Sequence, residues 1–126
     1  MLRQGPISHF LHGAIEYAAA ILLIAAPFVF SFDSNAATAL AVVAGVIVLI
    51  LAASTDGPTS LINSVPVATH VVLDFVLVGV LIAAPFLFGF SDETTPTSFF
   101  LLLGIAHLLV TIGTRFKPAR EPTGPR

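Results

Sequence analysis

Cysteine and tryptophan are missing from this chain of 126 residues, tyrosine and methionine occur once each, and charged side chains make up only 10% of it. Without cysteine there is no disulfide, no thiolate nucleophile and no thiolate metal ligand. The five basic residues sit at the ends, as Arg3 and then Arg115, Lys117, Arg120 and Arg126. A chain with no basic patch between its ends has no electrostatic footprint for nucleic acid. No GxSxG elbow surrounds any of Ser8, Ser54, Ser60 and Ser64, and no Gly-rich phosphate loop, CxxC or HExxH occurs. The expectation is therefore a protein that is not an enzyme.

What is present is apolar surface: 56% of the residues are hydrophobic and the mean hydropathy is +1.01. A soluble domain of this length cannot hide that much, so lipid is the expected solvent. Four apolar runs, about 8–32, 36–53, 67–90 and 97–114, are each long enough to cross or nearly cross the hydrocarbon core as a helix. Between them lie polar breaks with turn chemistry: DSN at 33–35, TDGPTS at 55–60, NSVP at 63–66 and SDETTP at 91–96. Short connections make neighbouring helices antiparallel. The first run contains His9, His12 and Glu16, which sets it apart from a cleaved signal peptide. Acidic residues without Lys or Arg in the 33–35 and 91–96 breaks, against basic ends, predict cytoplasmic N- and C-termini in a cytoplasmic membrane. The segment 116–126, with three prolines and no apolar run, is expected to be a disordered basic tail.

The chain repeats itself. Residues 23–32 read LIAAPFVFSF and residues 81–90 read LIAAPFLFGF. The offset of 58 (85 − 27) that aligns Pro27 with Pro85 also pairs His12 with His70 and Glu16 with Asp74. After one inserted residue, an offset of 59 (97 − 38) pairs Thr38 with Thr97, Gly45 with Gly104 and Thr55 with Thr114. The predicted fold class is all-α: an integral membrane four-helix bundle made by tandem duplication of a two-helix hairpin. Its two units are 1–60 and 61–115. Each copy holds an even number of spans, so both insert the same way up, about a parallel pseudo-twofold along the membrane normal.

On these residues the chain resembles the small integral membrane proteins built from the SPW repeat. Ala26-Pro27-Phe28 and Ala84-Pro85-Phe86 stand where that repeat has Ser-Pro-Trp, Gly89-Phe90 matches a Gly-Phe that often follows, and Asp74 matches an early acidic residue. The resemblance implies four spans and no particular reaction.

Pro27 and Pro85 cannot donate to the carbonyls of Leu23 and Leu81, and they fall about 30 Å along their helices counted from the start. Each is expected to stop its helix at the membrane interface. The alternating Phe28, Phe30, Phe32 and Phe86, Phe88, Phe90 would then form a non-helical or tightly wound aromatic exit. Gly45, Gly79 and Gly104 are expected to allow close helix approach, and Thr55, Thr111 and Thr114 to bond back to their own helices.

Ionisable residues within spans are costly and mark the default functional region. His9, His12 and Glu16 share one face of the first helix, His70 and Asp74 repeat the pair on the third, and His107 lies at matching depth on the fourth. A cluster of His9, His12, Glu16, His70, Asp74 and His107 is expected, with Glu16 reaching a histidine across the pseudo-twofold. Its first reading is structural, in a non-enzymatic or accessory membrane component that forms a homo-oligomer or joins a larger complex. The second is a cofactor: haem b on His12 and His70, or a divalent metal held by them with Glu16 and Asp74. The third is proton or solute handling through Glu16, Asp74 and His107.

Overall fold

The computed structural model describes residues 5–115, so the predicted tail at 116–126 lies outside the described residues. Four helices carry the chain: α1 (His9–Val29), α2 (Asn35–Ser54), α3 (Val67–Leu87) and α4 (Thr94–Gly113). Each has 20 or 21 residues and is apolar enough to cross a membrane. This is an all-α, multi-pass membrane protein.

The helix starts follow local chemistry. The Ser8 hydroxyl accepts from the Leu11 amide, and the Ser34 hydroxyl from the Ala37 amide, each at 3.1 Å, satisfying a first-turn N–H that has no partner within the helix. Glu93 occupies the corresponding position before α4 without capping it. Its carboxylate instead accepts from the Ser34 amide at 2.7 and 3.2 Å, tying the two hairpins together at their aromatic end.

The helix ends correct one expectation. Pro27 and Pro85 do not stop α1 and α3, which run on to Val29 and Leu87. The stop comes four residues after each proline, where Ser31 (φ 52) and Gly89 (φ 74) turn left-handed. The next amide folds back onto the proline carbonyl, Phe32 to Pro27 and Phe90 to Pro85, each at 3.0 Å. This is the six-to-one bond of a Schellman ending. Each proline forfeits its own bond to the carbonyl four residues back, Leu23 or Leu81, and only two helical residues follow it to be displaced. Phe28 and Phe86 are accordingly helical, and the aromatic exit begins with the caps Phe30 and Phe88.

The buried faces coincide under the sequence offsets. On α1 they include His12, Glu16, Ala20, Leu23 and Pro27, and on α3 His70, Asp74, Val78, Leu81 and Pro85. On α2 they are Ala37, Ala41, Gly45, Val48 and Ala52, and on α4 Pro96, Phe100, Gly104, His107 and Thr111. Within each hairpin the helices pack closely. A Cβ on Gly45 would come within 2.7 Å of Ile24 Cγ1, and one on Gly104 within 2.9 Å of Ile82 Cγ1. Gly79 differs from expectation: it is exposed and has open space beside it, so among the described residues no helix approaches it closely.

Packing between the hairpins is much sparser than within them. An apolar core of Ala20, Leu23, Ala41, Leu81, Ala84 and Phe100 fills the half toward the aromatic end. Midway along α2 and α3 an apolar groove of about 280 Å³ opens between residues such as Ala44, Ile47, Leu73 and Val80. At the other end the backbone closes the seams. Ile7 and Ser8 (β1, Ile7–Ser8) pair in parallel with Thr114 and Arg115 (β2, Thr114–Arg115), and Val65 forms the matching bridge to Thr55.

Candidate functional site

One turn inside that strand end, four side chains converge between the hairpins. His12 and Glu16 are one turn apart on α1, and His70 and Asp74 one turn apart on α3, so each pair points the same way from its helix. All four residues are between 1% and 4% exposed. His12 Nε2 lies 3.1 Å from Glu16 Oε1 and 3.2 Å from Asp74 Oδ2. His70 Nε2 lies 2.8 Å from Glu16 Oε1 and 3.2 Å from Asp74 Oδ1. Each imidazole thus faces the carboxylate of its own helix and the carboxylate of the other hairpin. One donor atom from each residue falls within 4.8 Å of all the others.

The outward nitrogens are held as well. His12 Nδ1 is 2.7 Å from Thr114 Oγ1, and His70 Nδ1 is 2.5 Å from Thr55 Oγ1. Both threonine hydroxyls donate to their own helices, Thr114 to the Val110 carbonyl at 2.5 Å and Thr55 to the Leu51 carbonyl at 2.6 Å. The expected back-bonding of these two residues is therefore present, and their role in orienting the histidines is additional. The signal available in the sequence was their pairing at the same offset as the repeat. Thr111 departs from expectation, since its buried hydroxyl has no hydrogen-bond partner among the described residues.

His107 joins from α4, with Nε2 at 3.3 Å from Asp74 Oδ1. Val48 occupies the matching buried place on α2, so Glu16 has no equivalent support and is held by His12 and His70. His9, expected on the same face, begins α1 only half-buried, with its ring against Gly57 in the 55–66 connection and outside the ring of four donors.

The geometry discriminates between cofactors. A haem ligated by His12 and His70 needs a macrocycle-wide slot between their Nε2 atoms. Glu16 and Asp74 fill that space, each within 3.2 Å of both rings, so the arrangement does not fit a haem. Two imidazoles and two carboxylates converging at this spacing do fit a single cation.

No curated protein and no solved structure matches the chain. The family model for the SPW repeat domain matches residues 10–114, from the second residue of α1 to the first residue after α4, and the protein belongs to that family.

Proposed function

We propose that the protein is a non-enzymatic component of the cytoplasmic membrane, in which two hairpins are locked by the buried His/carboxylate ring and present apolar helix faces to a neighbouring subunit. The observation that carries this reading is the direction of the ring's contacts. His12 to Asp74 and His70 to Glu16 both cross between hairpins whose remaining packing is sparse. Buried polar groups that satisfy one another across a seam fix register, and removing one leaves its partner as a costly buried charge.

Two further observations support it. Ala20, Leu23, Leu81 and Phe100, each at most 1% exposed, lie between the ring and the aromatic end, which favours a static tie over a relay through the bundle. Large apolar side chains such as Ile21, Val43, Val72 and Leu102 face outward at 55–69% exposure. In this reading the groove between α2 and α3 receives a transmembrane helix of the neighbour, and the ring lies toward the cytoplasm, with both termini on that side.

Extraction of the full chain from its own membrane into lipid nanodiscs without detergent exchange tests the component role. The expected result is a stoichiometric assembly, with copies of itself or with a larger complex, whose contacts map by cross-linking to α2 and α3. A lone monomer would contradict it.

A further inference from the structure

We propose that the ring of His12, Glu16, His70 and Asp74 is a binding site for one divalent transition-metal ion, with Thr55, Thr114 and His107 as its outer shell. The metal does not depend on the component role above. It follows from where the hydrogens of the two imidazoles lie.

A threonine hydroxyl has one hydrogen. Thr114 gives its hydrogen to the Val110 carbonyl and Thr55 gives its own to the Leu51 carbonyl. Each hydroxyl oxygen can then only accept from the histidine nitrogen beside it, so Nδ1 carries the hydrogen in both rings. In the neutral imidazole this leaves a lone pair on Nε2, aimed into the ring.

Both lone pairs face carboxylate oxygens at 2.8–3.2 Å. Lone pairs do not approach carboxylates that closely unless a positive centre lies between them. A proton on Nε2 can bond well to one carboxylate, whereas each Nε2 here has two within reach, His12 at 3.1 and 3.2 Å and His70 at 2.8 and 3.2 Å. A single cation in the middle serves all four donors at once. Donors bound to a tetrahedral ion at about 2.0–2.1 Å sit roughly 3.3 Å apart; the four nitrogen–oxygen separations here are 2.8–3.2 Å, and all four donors lie within 4.8 Å of one another.

Charge and ligand type select the ion. Two carboxylates and two neutral imidazoles carry two negative charges, which one divalent cation cancels, as a site enclosed by lipid requires. Imidazole nitrogen favours zinc, cobalt, iron or nickel over magnesium and calcium, which prefer all-oxygen shells. The threonine acceptors behind the histidines are the outer-shell partners that such ligands use to fix their tautomer. His107 steadies Asp74 from outside the ring, through Oδ1 at 3.3 Å.

The test uses tag-free, full-length protein in nanodiscs, stripped with a chelator and titrated with Co²⁺. The expected result is one equivalent per chain, with visible ligand-field absorption of four-coordinate intensity, displaced by Zn²⁺ and lost in His12→Ala and His70→Ala. Because those variants can fail to fold, Thr55→Val and Thr114→Val are measured beside them. Each is expected to stay helical and to bind Co²⁺ about 10–100-fold more weakly, and His107→Ala likewise. No cobalt uptake by the folded wild type would overturn the proposal and leave protons as the ring's only cations. Uptake that survives unchanged in all five variants would also overturn it, by placing the ion elsewhere.

Discussion

Ser31 and Gly89 stand at the same place in the two copies of the decapeptide, and both adopt positive φ. Only glycine does so without a steric cost, which for another residue is about 1 kcal/mol. Ser31→Gly is expected to stabilise the protein by about that amount in reversible unfolding from bicelles, and Gly89→Ala to destabilise it comparably. The difference between SF and GF was visible in the sequence, but its meaning was hidden behind the more conspicuous proline, which marks the last turn without ending it. In the ring, His70→Ala removes the closest partner of Glu16, the carboxylate that lacks support from α2. A loss of about 3–5 kcal/mol is expected, read as a lower midpoint in the same unfolding titration.

Among the elements, hairpin packing depends on two glycines and ignores a third. Gly45→Val and Gly104→Val force α2 from α1 and α4 from α3, with expected losses of about 1–3 kcal/mol each. Gly79→Ala meets open space on a helix and is expected to stabilise by up to about 1 kcal/mol. Composition could not separate the three, because a glycine's role depends on which face of its helix it occupies. Span number, hairpin order and the pairing of His12 with His70 were legible, since hydropathy and repeat offset are carried along the chain. The parallel pairing of β1 with β2, and of Thr55 with Val65, was not. Two-residue ladders have no periodicity, and arise only when the helix ends are brought together.

For the whole molecule, the sparse packing between hairpins makes the polar contacts at its two ends decisive. Glu93→Ala removes the bond to the Ser34 amide and is expected to cost about 1 kcal/mol or somewhat more, without disturbing the ring at the far end. The legible part of the site was that His12, Glu16, His70, Asp74 and His107 come together at one level along the helices. The reach of Glu16 to a histidine of the other hairpin was legible too, and His70 is that residue; the illegible part was that each imidazole meets both carboxylates and is backed by Thr55 or Thr114, which follows from how two hairpins dock. A double-mutant cycle on Glu16 and His70 in reversible unfolding of the intact chain measures whether the ring holds the two hairpins together. Glu16→Gln and His70→Ala are expected to be coupled by about 1–3 kcal/mol, whereas Glu16→Gln and Glu93→Ala, at opposite ends of the bundle, are expected to be additive. Additivity of Glu16→Gln with His70→Ala would contradict that role of the ring.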